Sequence, residues 1–358
     1  MWSGRHAARS TFAKMQAMHD YQSPRWLPGG HLQTIVPYFL RKMPPPPYRR
    51  ERIDTADGDF IDLDWIDGPA DRPLVVLFHG LEGSSLSHYA RAMMHSVRAA
   101  GWRGVVPHWR GCSGEPNRLP RAYHSGDHQE TGWLIEALRQ RANPPAMFAV
   151  GVSLGGSALL NWLGRAGPNA ATWLTAAAAV SAPLSLRTGG EAIERGFNIV
   201  YTWNFMRTMR RKGLEKSRQF PGVIDAARIR RTRTLHDFDD AFTAPLHGFE
   251  GADDYWDRGS SLMWLRHIAV PTLVINALND PFLPYDALPH KPVVSDAVTL
   301  ELPQHGGHVG FLHGKWPGDP TYLPRRLLRF FEQQLPNINS ESLAKRSPPE
   351  HAQRSKVL

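Results

Sequence analysis

At 358 residues the chain is well above the size at which a hydrophobic core is hard to build, and a composition 42% hydrophobic and 21% charged excludes a disordered or fibrous protein. A single cysteine, Cys112, excludes an internal disulfide framework and a multi-cysteine zinc site. The formal charge is +9, but residues Arg207 to Arg233 hold ten Lys or Arg against Glu215 and Asp225, so one stretch carries +8 of it and the rest is nearly balanced.

Residues 1–50 read as an irregular segment that packs on the domain behind it, with a proline run at Pro44 to Pro47 and an unusual Gly30-His-Leu-Gln-Thr34. Arg5, Arg9 and Lys14 have no apolar stretch behind them, so no secretory signal is expected. No run approaches the roughly 18 apolar residues that span a bilayer. The cytoplasm is the expected location.

From residue 51 the text becomes rhythmic. Arg52 to Thr55 and Phe60 to Ile66 flank Asp57-Gly58, a hairpin signal. Leu74 to Phe78 is a continuous apolar run, as in a buried parallel strand. Residues 88–99 follow with helical spacing, Gly104 to Trp109 as a strand, 128–141 as a helix and Met147 to Val152 as a strand. Residues 156–164 form a small-residue helix before the strand Leu174 to Ala182. Such alternation predicts βαβ crossovers and a mostly parallel sheet covered on both faces. Trp102, Trp109 and Trp133 are expected to line one side of it.

The rhythm breaks over residues 183–262, which are basic first and then acidic and aromatic. Eighty residues are too many for a loop, so this is expected to be a helical cap insertion. Its basic stretch reads as a solvated helical face, with a site for anionic lipid or an acidic substrate as the sharper alternative. Strands at Thr272 to Asn276 and Val298 to Leu302 and a helix from Tyr322 to Gln334 complete a domain of residues 51–335. Residues 336–358 are polar and read as a disordered tail.

The chemistry sits at strand ends. Gly151-Val-Ser153-Leu-Gly155 follows a predicted strand and opens a predicted helix, the context of a nucleophile elbow; Gly151 and Gly155 leave room for the sharp turn. Such a serine needs a base, oriented in turn by an acid. Asp280 follows the Thr272 strand. His308 follows the Val298 strand and is preferred over His305 because Gly306, Gly307 and Gly310 surround it. His305 is read as a supporting residue, and a metal at the two histidines is not expected. The main-chain N–H groups of Leu81 and Leu154 are the expected oxyanion donors. Cys112 reads as a packed thiol beside a turn.

The set Gly30-His-Leu-Gln-Thr34, His79-Gly-Leu-Glu-Gly-Ser84, Arg110-Gly-Cys-Ser-Gly-Glu-Pro-Asn117, Gly151-Val-Ser-Leu-Gly-Gly156, Asn279-Asp-Pro-Phe282 and Gly307-His-Val-Gly-Phe311 resembles the YheT-like α/β-hydrolases, related to eukaryotic α/β-hydrolase-domain lipid esterases. The resemblance runs from about residue 25 to 335. It implies an α/β-hydrolase fold with an eight-stranded sheet. It also implies a serine carboxylic ester hydrolase with Ser153, Asp280 and His308 as triad, acting on short- to medium-chain acyl esters or acylglycerol-type lipids without a cofactor. Membrane-anchored relatives carry an N-terminal apolar helix that is not seen here, so anchoring is not implied. The expected partner is a small ester or lipid, with peripheral membrane contact left open and no nucleic acid. An acyltransferase using the same triad, or a basic-patch binding module on the same fold, are the competing readings.

Overall fold

The computed structural model describes residues 21–39, 43–288 and 293–335. Among them eight strands form one sheet: β1 (Arg49–Asp54), β2 (Phe60–Ile66), β3 (Leu74–Phe78), β4 (Arg103–Pro107), β5 (Met147–Val152), β6 (Ala176–Val180), β7 (Thr272–Ile275) and β8 (Val298–Glu301). Their spatial order is β1-β2-β4-β3-β5-β6-β7-β8. β2 pairs antiparallel with β1 and β4, and every later pairing is parallel. The opening hairpin turns at Asp57-Gly58, where Gly58 takes a φ of 85° and Thr55 N–H bonds to Asp59 O at 3.0 Å.

The helices used below are α1 (Gly29–Phe39), α2 (His88–Ala99), α3 (His128–Ala142), α4 (Leu154–Ala166), α5 (Leu186–Ile193), α6 (Ile199–Gln219), α7 (Ala226–Arg231), α8 (Ala252–Gly259) and α9 (Tyr322–Glu332). The two-residue strand period splits the core between the sheet's faces. Leu74, Val76 and Phe78 of β3 join Leu134 and Leu138 of α3 and Leu159 and Leu163 of α4. Val75 and Leu77 join Met93 and Val97 of α2 and Leu327 and Phe331 of α9. Each side chain of this size contributes about 1.5–3 kcal/mol on burial, so the sheet is held firmly from both sides.

Two expectations require correction. Residues 1–50 are not irregular throughout. Residues 29–39 form α1, whose paired glycines at the start and internal Pro37 disguise its helical pattern, and β1 already begins at Arg49. The tryptophans do not share a side. Trp109 stacks on Phe78 at 5.4 Å and Trp102 on Phe148 at 5.5 Å, on opposite faces. They flank β4 at an odd separation, so the strand period sends them apart. Trp133 packs on the Trp109 side.

Residues 183–262 carry α5 to α8 and add no strand to the sheet among the described residues. The stretch expected as a tail, 336–358, lies outside the described residues.

Candidate active site

β5 runs directly into α4, and Ser153 stands at the joint with φ 53° and ψ −121°. A left-handed conformation is costly for a residue with a Cβ, on the order of 1–3 kcal/mol, and survives only where the surroundings enforce it. Here they do. A Cβ on Gly151 would lie 2.5 Å from Gly155 O, and one on Gly155 would collide with the main-chain carbonyl of Phe78. Ser153 N–H is tied to Val180 O at 2.8 Å, and Ser153 O accepts from Gly156 N–H at 2.9 Å. The elbow is thus wedged between β3, β6 and its own helix.

The loops after β7 and β8 bring Asp280 and His308 to this point. Ser153 Oγ lies 3.0 Å from His308 Nε2, and His308 Nδ1 lies 2.8 Å from Asp280 Oδ2. With Asp280 accepting, Nδ1 carries the proton and Nε2 is left to accept from the serine hydroxyl. Asp280 Oδ1 accepts from Phe282 N–H at 2.9 Å, and the carboxylate is fully buried. The arrangement can move a proton from the hydroxyl to the imidazole while the carboxylate holds the ring. His305 stands at the exposed edge of the site, its Nδ1 3.5 Å from Nδ2 of Asn279, which itself bonds to Gln33 and Gly307.

The supporting groups come from α1, a helix that local sequence pattern does not announce. Gln33 Oε1 accepts from Gly306 N–H at 2.8 Å and from Asn279 Nδ2 at 2.9 Å, bridging the base loop to the acid loop. Asn279 Oδ1 in turn accepts from Gly307 N–H at 3.0 Å. Thr34 Oγ1 accepts from His308 N–H at 2.9 Å and donates to Gly30 O at 2.7 Å. The only signal for these roles was the odd Gly-His-Leu-Gln-Thr string itself.

The loop after β3 is braced by tyrosines. Gly80 N–H donates to Tyr89 Oη and Glu82 N–H to Tyr123 Oη, each at 2.9 Å, so the amides on both sides of Leu81 are held in place. His79 is buried beneath, and burial lowers its pKa to about 3, so it stays neutral. Its Nδ1 donates to Gly80 O, and its Nε2 accepts from Trp109 N–H. Leu81 and Leu154 line the same cavity as Ser153 and His308.

That cavity measures about 390 Å³. α5 and α6 supply apolar walls, including Ile193, Phe205 and Met209, and Phe282 packs its ring 4.3 Å from that of His308. A polar corner holds Glu82, with Tyr123 Oη 3.0 Å and Lys212 Nζ 2.9 Å from its carboxylate. Cys112 Sγ lies 3.7 Å from the same Nζ, and burial raises the thiol's pKa to about 11. It is a thiol rather than a thiolate at neutral pH, in keeping with a packing role.

Comparison with known proteins agrees with this architecture. Residues 73–315 match the family described as alpha/beta hydrolase fold. YheT of Escherichia coli (strain K12), which carries an esterase name, is 39% identical over 303 residues, spanning 83% of this chain and 88% of its own. Phospholipase ABHD3 of Homo sapiens is 32% identical over 325 residues, spanning 88% and 79%. Among solved structures, esterase Pf2001 of Pyrococcus furiosus superposes with a TM-score of 0.53 at 15% identity, over 80% of this chain and 90% of that one, a likeness of fold. The chain belongs to the α/β-hydrolase family, within its YheT-like branch.

Proposed function

We propose that the chain is a serine carboxylic ester hydrolase acting on short- to medium-chain acyl esters or acylglycerol-type lipids. The observation that carries the reading is the hydrogen-bonded line Ser153–His308–Asp280 opening into an apolar cavity. Ser153 Oγ attacks the ester carbonyl as His308 Nε2 takes its proton, and Asp280 stabilises the imidazolium that forms. The carbonyl oxygen becomes an oxyanion held by the N–H groups of Leu81 and Leu154. Collapse expels the alcohol, which leaves with the proton from His308. Water, deprotonated by the same imidazole, then releases the acid and restores the serine.

Residues 183–262 serve as the cap that shapes the acyl site, because α5 and α6 supply its apolar walls. The esterase and phospholipase names of the relatives point to the same bond type. The test is hydrolysis of p-nitrophenyl esters from acetate to palmitate. Turnover that peaks at one chain length and disappears in Ser153→Ala is the expected result; equal inertness of both proteins would remove the esterase reading.

A further inference from the structure

α6 has two working faces. Phe205, Met209, Lys212 and Lys216 point into the cavity. The other face is exposed at Val200, Trp203, Arg207 and Arg218, spaced three, four and eleven residues apart and so aligned in one stripe. The stripe is graded: large apolar side chains lead, and arginines follow.

The apolar end is unusually bare. Phe197, Ile199 and Val200 are each more than half exposed, and Trp203 is 65% exposed. α1 extends this end, since the His31 ring lies 4.7 Å from that of Phe197 and the neighbouring Leu32 is 45% exposed. Contiguous exposed apolar groups of this kind mark an interaction surface. At the basic end, Arg207, Arg218 and Arg233 make no ion pair among the described residues. They line one groove of about 590 Å³ together with Trp203, Met206 and Leu214.

We propose that this face docks the protein on the surface of an anionic phospholipid bilayer. Trp203 and its apolar neighbours enter the headgroup layer while the arginines meet lipid phosphates and carboxylates. Both halves of the surface fit that occupant. An amphipathic helix with aromatic and aliphatic side chains beside arginines binds an interface through apolar burial and charge together. Each basic residue near such a surface contributes about 1 kcal/mol, equivalent to roughly fivefold in affinity. A nucleic acid would use the arginines but leave four large apolar side chains in water. No helix among the described residues is long and apolar enough to cross a membrane, so contact of this kind is peripheral. Because α6 also walls the cavity, docking places the proposed acyl site beside the lipid. That consequence, unlike the docking itself, rests on the ester-hydrolase reading.

The experiment is co-sedimentation of the full chain with vesicles of phosphatidylcholine alone and with about a third phosphatidylserine added. The expected result is binding to the anionic vesicles that weakens with salt, and far weaker binding to the neutral ones. The Arg207→Glu/Arg218→Glu/Arg233→Glu triple variant should lose at least on the order of a hundredfold. Trp203→Ser should lose about tenfold at unchanged melting temperature. Hydrolysis of soluble p-nitrophenyl butyrate, followed in parallel, should be the same in these variants as in the wild type. Wild type that hydrolyses the soluble ester but ignores anionic vesicles would overturn docking and leave the enzymatic reading standing. Vesicle binding without any esterase activity would do the reverse. Tighter binding to duplex DNA than to vesicles, or a dimer that Trp203→Ser dissociates without vesicle binding, would also overturn the bilayer assignment.

Discussion

Ser153 concentrates much of the local design in one residue. Its left-handed backbone is held by a bond to β6 and by glycines that let β3 and α4 close around it. Replacing Ser153 with Ala removes the proposed nucleophile and should cost about a millionfold in kcat, measured on the best p-nitrophenyl ester. Asp280→Asn keeps the shape but lets the side chain donate toward Nδ1, favouring the wrong imidazole tautomer. About a 10,000-fold loss in kcat is expected, with little change in KM. A loss under tenfold would mean that Asp280 does not orient His308. Gly155→Ala drives a methyl into the Phe78 carbonyl, so it should lower the melting temperature as well as activity. Ser153, Asp280 and His308, which the structure brings within hydrogen-bond distance, could all be picked out in the sequence, because each lies in a short motif just after a strand.

α1 acts as a clamp across two loops that lie far along the chain from it. Gln33 is buried and holds Asn279 and Gly306 at once, across 246 and 273 residues of sequence. Gln33→Ala leaves buried donors unpaired and should cost about 1–3 kcal/mol of stability, read as a lower urea midpoint. It should also loosen the His308 loop, reducing kcat by up to about 100-fold with KM little altered. Gln33→Glu keeps the accepting oxygen and should recover part of the loss; an equal loss in both variants would contradict the clamp. The strands and the principal body helices were legible as elements because local periodicity dictates them. α1 was not, since its glycines and Pro37 break every local rule while its buried polar contacts stabilise it in the fold.

The helical stretch between β6 and β7 meets the body of the molecule at a seam of aromatic and titratable groups. His124, from the loop before α3, lies 4.3 Å from the His247 ring and also meets Phe249 and Tyr255. Burial lowers the pKa of His124 to about 4, and burial with repulsion from the neighbouring His124 ring lowers that of His247 to about 3. Between these values and the ordinary 6.5 the unfolded chain binds more protons, so both groups make stability fall as pH drops below about 6.5. Buried Asp239 works the other way, because burial raises its pKa to about 6 and its protonation favours the fold. Comparing variants isolates the histidine contribution. The melting temperature of His124→Gln should fall less than that of the wild type between pH 6.5 and about 4. Parallel curves would show that the seam does not titrate.

Residue order and local spacing were enough for the fold class, the strand-to-helix turn at Ser153 and the proposed succession of Ser153, Asp280 and His308, since strand period, glycine sterics and strand-end loops are properties of neighbouring residues. The clamp from α1, the apolar wall and polar corner of the cavity, and the division of α6 into an inner and an outer face depended on tertiary structure. They arise from contacts between segments far apart in the chain, and no local pattern carries the position of a partner that folding brings from elsewhere.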